Sequence, residues 1–254
     1  MHIHSEQTLT SRFGTSLLSH LVVPGCPGYC WSSIDQPCLT SGRRLLRVNC
    51  GMRVSREAIQ TDVLILGGGG AGLCSAIAAA EAGASVLVVS KAGGNSTVMA
   101  AGGFAVALEG AGDSTACFVS DALRSGAGLA DVRLLTRLAE EAPRAIETLT
   151  QWGVTFYCRE DGSYRLFRSG GHSHPRSLRC ASGRGADAYR VMLQQAKSLG
   201  VHFIGNALIT ELLRKDGRVV GAAGMGREGA PLFLLAKAVV LATGGMAALY
   251  EHTT

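Results

Sequence analysis

The sequence has no C-x-x-C pair and no block of lysine and arginine interleaved with aromatic residues. Although the chain has 8 cysteines, the absence of C-x-x-C excludes a zinc ribbon and a thioredoxin-type redox pair. The cysteines are therefore predicted to be free thiols in a reducing, cytoplasmic compartment. Aromatic residues make up only 6% of the chain and the net charge is only +5, so nucleic-acid binding has little support.

Charge is missing altogether from residues 63–80, a stretch of eighteen residues that reaches the length of a membrane-spanning helix. Five of the eighteen are glycines and four of those are consecutive, and glycine supports helices poorly. We therefore predict no membrane span. The 47% apolar content and the length of 254 residues instead favour a globular protein with a sizeable core.

Residues 61–91 read as a strand, a tight glycine turn, a helix and a second strand, which is one βαβ unit. Gly67, Gly69 and Gly72 fill the frame G-x-G-x-x-G between the first strand and the helix. In this motif the first glycine permits the sharp turn, the second lets backbone approach a pyrophosphate, and the third lets the helix lie close to the sheet. The helix N-terminus then offers free N–H groups to the phosphates. A chance glycine run is the alternative, but the flanking strands favour dinucleotide binding.

The N-terminal residues differ in composition from the rest. Residues 1–51 carry four arginines and two acidic residues together with many serines and threonines, which is typical of a transit peptide and would imply an organellar location. The alternative is that translation begins at Met52. In both cases residues 1–60 are predicted to be a leader or unstructured extension, and residues 61–254 to form the folded domain.

The remaining pattern predicts helices followed by a β-meander. Five apolar residues at helical spacing predict a core-facing stripe within residues 131–152, and Pro143 predicts a kink or two shorter helices there. Residues 208–213, 218–223 and 231–235 predict the meander, and residues 238–242 a separate final strand. The stripe consists of Leu134, Leu138, Ala142, Ala145 and Leu149.

Four segments appear in an order that resembles one family: the glycine motif, the loop GGNSTVMAAGGF at 93–104, GGHSHPR at 170–176 and LATGG at 241–245. Residues 61–254 resemble the N-terminal part of the succinate dehydrogenase and fumarate reductase flavoproteins, a family that includes L-aspartate oxidase. The resemblance implies an α/β, Rossmann-like FAD-binding domain with a parallel sheet and a β-meander insertion. It also implies an FAD-dependent oxidoreductase that transfers hydride between flavin N5 and a small carboxylic acid.

The resemblance carries the cofactor contacts over to matching positions. A nicotinamide enzyme would usually end its second strand with an acid, whereas this strand ends in Ser90 and Lys91, as FAD relatives do. The predicted FAD-binding residues are Gly67, Gly69, Gly70, Ala71, Gly72, Ser90, Lys91, Asn95, Ser96, Thr97, Gly102, Gly103, Ala207, Leu208, Thr243 and Gly244.

Departures from the family pattern sharpen the prediction. Ser96 stands where membrane-bound succinate dehydrogenases carry a histidine that binds FAD covalently, so a non-covalent flavin is expected. L-Aspartate oxidases place glutamate directly before Gly-Gly-His, where this chain has Ser169, which lowers the expectation that aspartate is the substrate.

The two histidines of the third segment allow three interpretations. His172 and His174 could form a metal pair, but no third ligand stands at a useful spacing, so no metal is predicted. Surface positions are a second possibility. We predict that His172 and Ser173 form part of the wall of the substrate cavity, as the family position implies.

The residues that bind and protonate the substrate in the family lie beyond the matching segment, and no His-Pro-Thr occurs in this chain. The catalytic residues and the capping domain are therefore expected beyond Thr254, and neither the substrate nor the electron partner is indicated. Two alternatives stay open besides the fumarate reductase type: an L-aspartate oxidase, and a non-catalytic FAD-binding fragment.

Overall fold

A computed structural model describes residues 47–48, 56–91, 94–101, 103–108, 112–246 and 251–252 of the chain. Most of the predicted leader and Gly102 lie outside these residues. The chain divides into two compact units. The first comprises the described residues up to 64 and residues 206–240, and the second comprises the described residues within 65–205 and 241–254.

The second unit contains the predicted βαβ unit. Strand β3 (Ile59–Leu66) ends in this unit, and helix α1 (Gly70–Glu81) and strand β4 (Val86–Val89) follow it. All four residues of β4 are buried, as the continuous apolar run predicts for a strand covered on both faces. Strand β8 (His202–Ile204) pairs with β4 in parallel, and the strand order here is β8-β4-β3.

The rest of the second unit is mostly helical. Helices α2 (Ser96–Met99), α3 (Thr115–Ser125), α4 (Val132–Gln151) and α5 (Gly185–Ser198) follow one another along the chain. A small antiparallel sheet has the order β5-β7-β6, formed by β5 (Phe104–Ala105), β6 (Leu166–Phe167) and β7 (Ser177–Leu178). Ser114 caps α3 by accepting a hydrogen bond from the Cys117 amide at 3.2 Å.

Helix α4 corrects the predicted core stripe. Leu134 and Leu138 are 70% and 55% exposed, whereas Ala139 and Ile146 are buried together with Leu149. The sequence offers apolar residues on two sides of this helix, and only packing against neighbouring elements selects between them. The helix continues through Pro143 as a single element, so the alternative of two shorter helices was wrong.

The first unit holds the predicted meander. Strands β9 (Leu208–Lys215), β10 (Arg218–Met225) and β11 (Pro231–Leu241) pair antiparallel in sequence, and the order in this unit is β3-β11-β10-β9. Asp216 and Gly217 connect β9 and β10 with positive φ angles of 49° and 77°, as an Asp-Gly hairpin turn requires.

Strand β11 also corrects an expectation, because the two strands predicted at 231–235 and 238–242 are one strand of 11 residues. Lys237, which interrupts the apolar run in the sequence, forms an ion pair with Asp62 of β3 at 2.6 Å. The charge is thereby accommodated inside a continuous strand. Near the chain's beginning, β1 (Arg47–Val48) pairs antiparallel with β2 (Arg56–Glu57).

The four described cysteines, Cys74, Cys117, Cys158 and Cys180, are free. Within the described part of the chain, no helix has the length and the apolar character that crossing a bilayer requires. The same residues contain no group of three or more histidine, cysteine or acidic side chains placed to hold a metal ion.

Candidate functional site

The glycine turn between β3 and α1 is built so tightly that side chains are excluded from it. Gly67 has a φ of 118°, and a Cβ there would lie 2.1 Å from the carbonyl oxygen of Ala242. A Cβ on Gly72 would lie 1.9 Å from the carbonyl oxygen of Gly67. The sequence motif therefore brings helix, turn and returning chain into backbone contact, as in a dinucleotide-binding turn.

Space and donors for a phosphate remain at the second glycine of the motif. Gly69 precedes α1 in an extended conformation, and a Cβ there would meet only the side chain of Asn95, at 3.8 Å. Helix α1 has no side-chain cap and no acidic residue in its first turn. The first amides of a helix have no partner within the helix. The Gly70 amide donates to Thr97, so the amides that follow it, those of Ala71 and Gly72, can donate to an anion here. The turn fits the pyrophosphate of a dinucleotide.

The loop 94–104, which contains several of the predicted FAD-binding residues, contacts this turn. Asn95 caps α2 by accepting a hydrogen bond from the Val98 amide at 3.0 Å. The Gly70 amide donates to the hydroxyl oxygen of Thr97 at 3.0 Å, and Ser96 beside it is exposed. Two segments that lie 27 residues apart in the sequence therefore meet at the start of α1.

The predicted residues after β4 and after β11 lie at the same turn. Ser90 is the nearest neighbour of Gly68, whose Cβ would lie 3.4 Å from the Ser90 Cβ. The Ala242 amide donates to the Leu66 carbonyl at 2.8 Å, which places the exposed Thr243 and Gly244 directly after this contact. These positions suit the predicted cofactor contacts.

Four more of the predicted cofactor contacts lie within the described residues, and they are divided between the two units. Lys91 and Gly103 are exposed in the second unit. Ala207, which is buried, and Leu208, which is 43% exposed, belong to the first unit at the start of β9. Gly102 lies outside the described residues. The roles of these residues stay predictions.

Beside the loop 94–104 lies a cavity of about 270 Å³. It is bounded by α2, β5, the chain after β7 and the start of α5, all within the second unit. His172 and Ser173, the predicted wall of the substrate cavity, are not among its lining residues. The residues that line it are Ser96, Thr97, Ala100, Gly103, Phe104, Arg179, Cys180, Gly183, Arg184 and Gly185.

The segment 170–176 is instead held by a buried ion cluster that the sequence did not reveal. Arg176 is 0% exposed, and its Nε and Nη2 donate to the two carboxylate oxygens of Asp113 at 2.6 and 2.5 Å. Its Nη1 donates to Asp121 at 2.6 Å, and its guanidinium lies 5.3 Å from the ring centroid of Phe118. Both carboxylates lie more than 50 residues upstream, so local sequence gave no signal beyond a polar loop containing an arginine.

This cluster fixes the hydrogen-bonding state of both histidines. Arg176 can only donate, so Nδ1 of His172, which lies 3.3 Å from its Nη1, accepts. The Ser173 hydroxyl donates its hydrogen bond to Asp121 at 2.6 Å. Its oxygen therefore accepts from Nδ1–H of His174 at 3.0 Å.

The same contacts lower the pKa values of both carboxyl groups, Asp113 and Asp121. The Ser173 hydroxyl and amide, together with Arg176, hold the pKa of Asp121 well below its ordinary value of 3.8. Burial acts to raise the pKa of Asp113, but hydrogen bonds from Arg176 and from the Ser114 amide outweigh burial and hold this pKa below 3.8. Each carboxylate is therefore stabilised in its ionised form by the folded chain.

The free energy of unfolding should therefore depend on pH in the acid range. The pKa values of Asp113 and Asp121 are lower in the folded chain than in the unfolded chain. Their contribution to the free energy of unfolding is therefore fully present above the unfolded pKa near 3.8. It is lost as the pH falls through the folded values. We expect the Tm, measured by circular dichroism at constant ionic strength, to fall steeply below about pH 4. A variant with Asp113→Asn and Asp121→Asn should show a shallower fall, and equal slopes would contradict the assignment.

The βαβ unit, the open glycine turn and the absence of a capping side chain on α1 define a dinucleotide-binding protein. A model of the FAD binding domain family matches residues 62–254. The chain therefore belongs to this family, and FAD is its cofactor.

Individual relatives agree with this membership. L-Aspartate oxidase of Streptomyces coelicolor is 37% identical over 206 residues, covering 78% of this chain and 35% of the relative. The FrdA chain of E. coli quinol fumarate reductase matches with a TM-score of 0.71 at 31% identity, covering 77% of this chain and 34% of that one. Sdh1 of Mycobacterium smegmatis in complex with UQ1 matches with a TM-score of 0.69 at 34% identity, with coverages of 75% and 35%. The chain thus spans about a third of the length of these relatives, and the predicted α/β FAD-binding fold is confirmed.

Proposed function

We propose that this chain is the FAD-binding part of an oxidoreductase of the fumarate reductase and succinate dehydrogenase type, acting on a small carboxylic acid. The observation that supports it best is the open glycine turn in contact with the loop 94–104, since this pair of segments suits a dinucleotide that carries a flavin. When bound, FAD supplies the redox chemistry. The fumarate reductase and succinate dehydrogenase chains among the similar structures favour this type.

The residues of this chain bind and orient the cofactor in this proposal. The amides of Ala71 and Gly72 in the first turn of α1 and the space at Gly69 take the pyrophosphate, and Ser90 takes the ribose at the end of β4. The exposed Ser96 and its neighbours Asn95 and Thr97 face the flavin. Their short side chains and the backbone around them leave room for a flat ring system.

The flavin should be held without a covalent bond. Ser96 offers no imidazole at the position where membrane-bound relatives link their flavin. Precipitation of the yellow protein with acid should therefore release the FAD into the supernatant, as measured by its absorbance. A Ser96→Ala variant should release it equally, whereas flavin that stays in the washed pellet would show that a covalent link exists.

A second candidate, an L-aspartate oxidase, is supported by the relative of that name at 37% identity. Against it, Ser169 stands where L-aspartate oxidases carry a glutamate directly before Gly-Gly-His. Two assays of the FAD-loaded chain separate the candidates: peroxide production from L-aspartate, and fumarate reduction by a reduced dye. We expect no peroxide. Peroxide from L-aspartate favours the second candidate, and a chain that binds FAD but is inactive in both assays acts only as a cofactor-binding part.

A further inference from the structure

Helix α4 carries an apolar stripe that the described part of the chain leaves largely exposed. Leu134 and Leu138 lie one turn apart on the same side of the helix and are 70% and 55% exposed. Ala142 and Ala145 continue this side, the first half-buried and the second exposed. Single exposed leucines are common on protein surfaces, whereas a contiguous exposed apolar patch marks an interaction site. We call Leu134, Leu138, Ala142 and Ala145 the α4 stripe.

The core of the chain occupies a neighbouring side of the same helix. Ala139 is buried in one cluster with Phe118 of α3 and with Ala107, and Ile146 is buried as well. An amphipathic helix needs one apolar side to pack on a core, and α4 has that side and the stripe besides. Burial of the stripe against a second surface would therefore stabilise a complex, by about 25 cal/mol per Å² of apolar area removed from water.

Two opposite charges flank the stripe. Arg137 and Glu141 form an ion pair of 2.7 Å in which their side chains are 73% and 58% exposed. With about 100° of rotation per residue, both project on the side of Leu138 that points away from the buried Ala139. Glu141 uses one carboxylate oxygen in this contact, so its second oxygen is available, and Arg137 keeps further N–H donors. Both residues can therefore pair with charges on another surface.

A second copy of this chain has the complementary surface. When two α4 helices pack antiparallel about a two-fold axis near Ala139, the stripe of one copy meets the stripe of the other, as a symmetric interface requires. The same axis sets Arg137 of each copy opposite Glu141 of the other, because antiparallel pairing exchanges the positions before and after the axis. We propose that the α4 stripe is a homodimer interface of this kind. Apolar burial holds the copies together, and the two ion pairs fix their register.

Sedimentation equilibrium of the 254-residue chain over a range of concentrations tests the proposal, and we expect a reversible equilibrium between monomer and dimer. Leu134→Gln together with Leu138→Gln should raise the dissociation constant of the dimer about tenfold or more, because two apolar side chains lose their burial. Both leucines are exposed in the monomer, so circular dichroism should show an unchanged fold. Leu199→Gln is the matched control, since Leu199 is 37% exposed at the end of α5, outside the stripe, and should leave the dissociation constant unchanged.

Exchange of the charges tests which surfaces meet. A chain with Arg137→Glu and a chain with Glu141→Arg should each dimerise about tenfold more weakly, because each replaces two attractive pairs across the axis with two repulsive ones. A mixture of the two variants should regain the association, since unlike charges then lie opposite each other at both positions. Energy transfer between fluorescent labels on the two variants measures the mixed dimer.

The proposal is overturned if the unaltered chain is monomeric at every concentration, since the stripe would then await another polypeptide or the remainder of a longer protein. It is overturned equally if the double leucine variant dimerises as tightly as the unaltered chain, or if Leu199→Gln weakens the dimer to the same extent. A mixture of the two charge variants that stays monomeric would also overturn it, because α4 of one copy would then not face α4 of the other.

Discussion

Replacing Arg176 with methionine should lower the free energy of unfolding by about 3 kcal/mol, equivalent to a fall in Tm of roughly 6–12 °C. The guanidinium is fully buried and donates three hydrogen bonds to Asp113 and Asp121. Methionine fills a similar volume but leaves Asp113 without the arginine that pairs with it, and leaves Asp121 with only the exposed Arg124 as a counter-charge. Such uncompensated charge is what makes the loss of one partner of a buried ion pair costly. Chemical denaturation followed by circular dichroism measures the change.

The surface pair of Arg190 and Asp187 provides the matched control. Its side chains are 72% and 30% exposed at a separation of 3.2 Å, so Arg190→Met should change stability by no more than about 1 kcal/mol. Adding Asp113→Asn and Asp121→Asn to Arg176→Met should restore part of the loss, since the unpaired charges are removed. If Arg176→Met is as stable as Arg190→Met, the buried cluster does not stabilise the segment 170–176.

Two alanine substitutions in the glycine turn should have opposite consequences. Gly72→Ala should destabilise the fold by about 3 kcal/mol, because its Cβ would lie 1.9 Å from the backbone oxygen of Gly67 and neither side can move without shifting α1 or the turn. Helix propensity alone predicts the reverse, since alanine is favoured over glycine inside a helix by about 1 kcal/mol. The sign of the measured change therefore tests the close contact directly.

Gly69→Ala should fold normally and lose FAD. Gly69 has φ −81° and ψ −171°, which alanine adopts without strain, and the new Cβ would meet only Asn95 at 3.8 Å. That methyl group projects into the space where a pyrophosphate approaches the backbone, so FAD affinity should fall about tenfold or more while the Tm of the apoprotein stays near that of the unaltered chain. Fluorescence titration with FAD and thermal unfolding measure the two quantities. A Gly69→Ala protein that binds FAD normally would contradict the placement of the phosphates.

Local sequence was a good guide wherever short-range physics decides the structure. The glycine motif, the buried strand β4 and the Asp-Gly turn at Asp216 each depend on a few consecutive residues. Thr97, which was predicted to bind the cofactor, contacts the glycine turn, and Ala242, which directly precedes the predicted Thr243, contacts Leu66 before this turn. The cofactor contacts themselves stay predictions. The resemblance to a family, more than spacing, selected those segments.

Local sequence did not predict the features that depend on contacts with residues elsewhere in the chain. The apolar residues of α4 fit two faces, and tertiary packing buries Ala139 and Ile146 while it leaves Leu134 exposed. Strand β11 continues through Lys237, whose charge pairs with Asp62 on another strand. Neither outcome can be read from helical or strand periodicity within the segment itself.

By itself, the sequence determined the α/β class and the dinucleotide turn, because a glycine motif between a strand and a helix encodes its own geometry. FAD as the cofactor followed from the resemblance of the sequence to a family. Only the tertiary structure decided what surrounds the site. It joined Arg176 to two carboxylates more than 50 residues away, and it brought Arg179 and Arg184 to one cavity beside the loop 94–104. Charges far apart in the chain interact only after folding has fixed their distance and removed the water between them.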